Sequence, residues 1–343
     1  MTDNATTPQE TAGRRTALQG LRAIFIKLGV LPFFLAGALV IFTILSDRFL
    51  TFDNMTNVFR QSVYLTLVSM GQMLALITGG FDLSVGAVVA LTSVVSALAM
   101  VALVGIFPDA VWLVIILGML AGLGASLLVG LVNGAGVAFF GVSPFIMTLG
   151  VSSVVAGISL FLTGGVPVSG MPYAFADAFG FGRLWDIPVP VIVALVAILA
   201  MWVFMERMRT GAHIYAVGGN IKAAVLSAID TKRTLIIAYV LCALAASVAG
   251  LLLTARVESG EANLGGSIAL ESIAACVIAG VSLRGGIGRV INVVLGAYFI
   301  TLAQNGMNLA QISSYMQMVL LGGLLILAVI FDQLRYRMMM GRA

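Results

Sequence analysis

The chain has 343 residues, of which 61% are hydrophobic and 9% charged, with a formal net charge of +4 and a mean hydropathy of +1.12. A soluble domain carries about 25% charged residues, so this composition excludes a cytoplasmic globular enzyme, a secreted disulfide scaffold and a disordered chain. What remains is an all-α polytopic membrane protein, and the 39 glycines suit closely packed membrane helices.

Taken in order, residues 1–27 are polar, lack a cleavable apolar leader and read as a cytoplasmic N-terminal tail. Residues 28–333 read as one transmembrane domain, and 334–343 as a cytoplasmic C-terminal tail. At ~20 apolar residues per crossing, about ten transmembrane helices emerge: 28–46, 58–78, 84–104, 111–131, 145–163, 187–205, 235–253, 268–282, 289–306 and 315–332. The eighth is short, which leaves nine or eleven crossings open.

With the N-terminus inside, 14 Lys and Arg residues fall on inner segments and only Arg48, Arg60, Arg183 and Arg256 on outer ones. That bias sets both termini in the cytoplasm and accounts for the basic net charge without nucleic acid. Asp47, Asp53, Asp109, Asp177, Asp186, Glu258, Glu261 and Glu271 fall outside. They predict an acidic rim suited to a basic patch on a soluble partner.

Ionisable groups are scarce within the segments. Asp82, Glu206, Glu271 and Asp332 all fall near segment boundaries, so no ion ligand is placed at mid-bilayer. There is no arginine ladder, the single His213 falls in an inner loop, and Cys242 and Cys276 read as buried thiols without metal or redox spacing. No phosphate-cradling glycine loop is present. The chain therefore reads as non-catalytic, binding neither metal nor cofactor, and any active transport draws its energy from another polypeptide. Amides near the segments, among them Gln61, Asn133 and the candidate path residues Gln72, Gln304, Asn305 and Asn308, suit a neutral polar solute such as a sugar. They equally suit hydrogen bonding between helices.

Three motifs interrupt the apolar runs. The first is Gly79-Gly80-Phe81-Asp82-Leu83-Ser84-Val85-Gly86, a helix break in which Asp82 and Ser84 are N-cap candidates. The second lies in the longest inner loop, 206–234. There Gly218-Gly219-Asn220 can end one helix and cap the next, a short helix over 221–229 carrying Ala223, Ala224, Ser227 and Ile229. So short a helix is marginal alone and predicts docking to another body. The third, Gly280-Val281-Ser282-Leu283-Arg284-Gly285-Gly286-Ile287-Gly288, follows the first by about 200 residues and hints at two similar halves.

At these residues the chain resembles the permease subunits of bacterial ABC importers for monosaccharides, the ribose, xylose, arabinose and galactose group. The run Gly79–Gly86 is similar to that group's G-G-[IF]-D-L-S-V-G signature, and Asn133-Gly134 with Val142–Gly150 to its N-G and P-P-F-I-x-T-L-G block, Ser143 replacing a proline. Tyr215–Ile229 resembles Y-A-[IV]-G-G-N-x-x-A-A-x-x-S-G-I, with Ala228 in place of a glycine. Ser272–Gly288 and Asn305–Leu309 resemble its C-terminal blocks.

The resemblance implies a type II importer permease fold in the bacterial inner membrane. It implies a second permease subunit (identical or a paralogue), a cytoplasmic ABC ATPase that binds ATP and Mg, and a periplasmic sugar-binding protein. It also implies that Gly218, Gly219, Asn220, Ala223, Ala224, Ser227 and Ile229 form the ATPase-coupling loop. The function expected is import of a monosaccharide or similar neutral polyol by alternating access. The rivals are an ion-coupled secondary sugar transporter or facilitator, and a membrane enzyme.

Overall fold

The structure, a computed structural model, describes residues 30–339; the expected tail over 1–27 lies outside them. Each of the ten apolar segments corresponds to one helix: α1 (Leu31–Leu45), α2 (Phe52–Ile77), α3 (Val85–Val104), α4 (Val111–Phe140), α5 (Pro144–Thr163), α6 (Val189–Arg207), α9 (Thr231–Val257), α10 (Ile268–Ile278), α11 (Val290–Leu309) and α12 (Ser314–Met339). Seven of these are long and apolar enough to cross a membrane by themselves. Between α6 and α9 lie α7 (Arg209–Gly219) and α8 (Ile221–Leu226). Helix α12 continues to Met339, into the stretch read from the sequence as a tail.

The centre of the bundle is α9, packed against α2, α3 and α4. Small residues allow the close approach. Gly71 of α2 sits on the Cys242 backbone, Gly130 of α4 on Val240, and Gly250 of α9 on Val89 of α3, so that an added Cβ would meet backbone atoms in each case. Membrane helices gain little from burying oil against oil, and such backbone proximity supplies van der Waals contact instead. Around this core α5, α6 and α12 turn large apolar side chains outward, Phe161 and Leu199 among them, as a lipid-facing surface does. Between α5 and α6 the chain forms a helical turn, Tyr173–Phe175, continuing into the π turn Ala176–Gly180, and then a hairpin of β1 (Arg183–Leu184) and β2 (Ile187–Pro188).

The short eighth segment has a physical explanation. After α9 the chain does not stay at the far end of the bundle but runs back inward without helical structure. Gly260 exchanges backbone hydrogen bonds with Val168 (2.8 and 2.9 Å), the Glu261 amide donates to Ser93 Oγ of α3 (3.0 Å), and Gly265 lies against the backbone of Gly86, in the first turn of α3. Only then does α10 begin. One crossing is thus made of a non-helical re-entrant segment, mostly turns, plus an eleven-residue helix. Non-helical backbone at membrane depth is tolerated where protein satisfies it or where it lines a cavity, and both conditions hold here.

That geometry moves Glu271. The hydropathy boundaries put it on the outer rim. In the structure it stands in the first turn of α10 and shares a cavity wall with Tyr64, halfway along the 26-residue α2. The acidic rim therefore loses this member, because the segment preceding it re-enters the bundle.

Candidate functional site

The three glycine motifs, separated by up to 200 residues, meet at one end of the bundle. Helix α2 ends at Ile77, and Gly79 adopts φ +83°, letting Gly80 N–H close back on Ala75 O (3.0 Å). This is the left-handed helix stop that glycine permits without a Cβ clash. The Ile77 carbonyl, left free by the stop, accepts from Gly286 N–H of the third motif (2.8 Å). Gly218 of the second motif packs on the same Ile77 carbonyl and on Gly286, so closely that a Cβ there would overlap the Ile77 oxygen. A second tie joins the same parts: Tyr215 Oη of α7 donates to the Gly288 carbonyl (2.9 Å). Burial pushes the Tyr215 phenol up from its ordinary value, with Glu206 adding to the effect and Arg289 opposing it, so the hydroxyl stays a donor at neutral pH.

The 206–234 loop is therefore packed through Gly218 against both helix breaks and hydrogen-bonded to the second through Tyr215. Asn220 caps α8, its Oδ1 accepting from Ala223 N–H (3.1 Å). Helix α8 stops at Leu226, not at 229, because Ser227 leaves the helix and Ala228 takes φ +59°. That left-handed position is where the resembling sequences carry glycine. Ala224 is buried at 3% exposure, whereas Leu226 at 89%, Val225 and Ile221 stand out from the body of the protein. Ala223 and Ser227 are exposed too, and Ile229 is half-buried.

The first break is additionally held by side chains. The Asp82 carboxylate accepts from Ser84 N–H (2.9 Å) and Ser84 Oγ (2.6 Å). Ser84 Oγ in turn accepts from Asn133 Nδ2 of α4 (2.8 Å). Ser84 makes no cap bond to α3; it is the hub of a buried network, and Asp82 serves the turn itself. Thr148 of α5 accepts from Leu83 N–H (3.1 Å), and Tyr239 of α9 donates to Phe81 O (3.4 Å). With its amide oriented to suit its surroundings, Gln72 spans the Asp82 backbone, donating to its carbonyl (2.9 Å) and accepting from its amide (3.3 Å). Asp82, Ser84, Gln72, Asn133 and Thr148 are all at 0% exposure. Thr148 and Tyr239 were hidden in the sequence inside apolar runs, and only the T-L-G block pointed to the threonine.

Of the four candidate path residues, Gln304, Asn305 and Asn308 lie close together near the end of α11, and Gln72 stands apart from them. Gln72 braces the first break. Asn305 exchanges reciprocal amide bonds with Asn54 at the far end of the bundle (2.9 and 3.0 Å). Asn308 accepts from Gln317 (2.8 Å). Gln304 faces cavities beside α10. Cys242 and Cys276 are free, buried thiols, and the described residues hold no group of three or more His, Cys, Asp or Glu side chains fit for a metal ion.

Comparison with known proteins agrees with this architecture. Residues 54–329 match the family described as "Branched-chain amino acid transport system / permease component". The chain belongs to this permease family. It is 38% identical over 303 residues to the D-allose transport system permease protein AlsC of Escherichia coli K12, covering 88% of this chain and 90% of that protein. It is 38% identical over 297 residues to the ribose import permease protein RbsC of the same strain, covering 86% and 90%. The galactose/methyl galactoside import permease protein MglC of Haemophilus influenzae is 33% identical over 320 residues, covering 91% and 95%. No solved structure matches the chain. The protein is a multi-pass membrane permease.

Proposed function

We propose that the chain is the membrane-spanning subunit of an ATP-driven importer that moves a monosaccharide or similar neutral polyol from periplasm to cytoplasm. The observation that carries this reading is the junction of Gly218, Ile77 and Gly286 beneath an exposed apolar α8. A solvent-facing helix with bare leucine, valine and isoleucine makes sense as a docking surface. Force applied to it passes through backbone contacts to both helix breaks. In this reading a cytoplasmic ABC ATPase, carrying ATP and Mg, seats on α8. A periplasmic binding protein delivers the solute from the opposite side, and a second permease subunit completes the path. Both termini then lie in the cytoplasm, in the inner membrane of a bacterium. Selection of the sugar resides largely in the delivery protein, and the names of the relatives make allose, ribose and galactose the first sugars to assay.

Reconstituted vesicles test the reading. Uptake is expected only with ATP, the ATPase and the binding protein together. Uptake by this chain alone, driven by a proton or sodium gradient, would establish a secondary transporter instead. Val225→Asp combined with Leu226→Asp is expected to abolish ATPase recruitment while leaving the bundle folded. Ala224 is a poor target for that purpose, since a charge at this buried position would disrupt the loop itself.

A further inference from the structure

The re-entrant segment and α10 enclose space that the coupling junction does not use. Two adjoining cavities of about 260 and 330 Å³ share Ser267, Glu271 and Gln304 in their walls, and the smaller is also lined by Gln61 and Tyr64. Their depth follows from the packing: Cys276 Sγ donates to Ser69 O (3.2 Å), which sets the first turn of α10 beside the middle of α2. Among the described residues, no group hydrogen-bonds the Glu271 carboxylate or the amides of Gln61 and Gln304. Glu271 and Gln304 are half-buried, and Gln61 is exposed beside them. A carboxylate and two amides thus share one space beside an interrupted helix, the setting in which transporters build their substrate sites.

We propose that Glu271, with Gln61 and Gln304, forms a hydroxyl-binding station for a neutral polyol of monosaccharide size on its way through the membrane. The inference rests on the importer reading and gives it a site. The carboxylate accepts hydroxyl hydrogens, while each amide both donates and accepts. Tyr64 supplies an aromatic wall for the carbon side of the ring. No Lys or Arg lines either cavity, so the one charge in their walls is the Glu271 carboxylate, which disfavours an anionic sugar; Arg60 and Arg256 act on the Tyr64 wall from outside the lining. The volumes lie near the lower bound of about 300 Å³ for ligand pockets and suit one sugar ring.

Two measurements on the full transporter complex test this. In the first, Ser267→Cys, in the wall of both cavities but outside the station, is exposed to a hydrophilic thiol reagent in membrane vesicles, with buried Cys242 and Cys276 silent. D-ribose, D-allose and D-galactose are each added at saturation, with gluconate and choline as anionic and cationic controls. At least one neutral sugar should slow modification by about fivefold or more, consistent with site occupancy, and the controls should not. An introduced thiol that does not react, no protection by any of the three sugars, or protection by choline alone overturns the station. In the second, Glu271→Ala should lower the maximal uptake rate by about tenfold, as loss of a charged hydrogen bond does, and Glu271→Gln should recover most of it. Wild-type uptake in both variants overturns the station while leaving the importer reading intact. Failure of the wild-type complex to show ATP-dependent uptake ends the importer reading, and the thiol measurement still decides the station by itself.

Discussion

The two helix breaks at the loop end are built to one plan and finished in opposite ways. At the first, Gly79 N–H returns to Leu76 O (2.9 Å) and Gly80 N–H to Ala75 O (3.0 Å). At the second, Gly280 N–H returns to Val277 O (2.9 Å) and Val281 N–H to Cys276 O (2.9 Å), and Gly79 and Gly280 share φ +83°. The match is that of the common left-handed glycine stop. Beyond the stop they diverge. The first turn disappears into a network of buried side chains on Asp82 and Ser84. The second closes mainly on backbone, Ser282 N–H to Ile287 O (2.9 Å) and Gly285 N–H to Ser282 O (3.1 Å), with Arg284 and Ile287 exposed. The same stop signal thus serves a turn fixed by buried side chains in one half and, in the other, a loop held chiefly through its backbone, by Ile77 and Tyr215. Gly218 sits between them.

The contrast is open to direct attack, and the severest perturbation is at the meeting point itself. Gly218→Val inserts atoms where the Ile77 carbonyl already lies, and overpacking costs about 1–3 kcal/mol or more. We expect thermal unfolding in detergent at markedly lower temperature and ATP hydrolysis uncoupled from uptake. Gly219→Ala, with nothing within 4 Å of its Cβ position, should behave like the parent. Next comes the anchor: Asp82→Ala leaves Ser84 N–H and Oγ without their acceptor, at about 1–3 kcal/mol. Ser282→Ala at the second break, where only Arg284 N–H uses the hydroxyl (3.2 Å), should change stability by no more than about 0.5 kcal/mol. Equal losses at the two breaks would refute the distinction between anchor and loop.

Smaller effects sharpen the account of the loop. Asn220→Ala removes the cap of α8, for about 1 kcal/mol, and should raise hydrogen exchange across residues 221–226 while sparing the bundle. Ala228→Gly should do the reverse. Relief of the left-handed strain at φ +59° is expected to stabilise the loop by up to about 1 kcal/mol, read as slower proteolysis of the 206–234 segment.

Much of the fold was legible because membrane spans are written in local composition. A run of apolar residues either is or is not long enough to cross a bilayer, and α3, α4, α5, α6, α9, α11 and α12 announce themselves on that ground. The glycine motifs were legible for a related reason, since each marks a place where the helix must stop. What local composition could not carry was depth. Gln72 reads like a path residue, yet it is consumed by the Asp82 backbone. Glu271 reads like a rim acid, yet the re-entrant segment draws it inward.

The sequence by itself determined that this is a helical membrane protein of about ten segments, where the helices break, and which loop between them is longest. Apolar length and glycine placement act on neighbouring residues alone. Only the tertiary structure decided that the second and third glycine motifs meet on the Ile77 carbonyl beside the first, that Asp82 and Asn133 join through Ser84, and that Glu271 faces a cavity. Those outcomes depend on which helices lie side by side and at what height, and that is set by packing across the whole bundle.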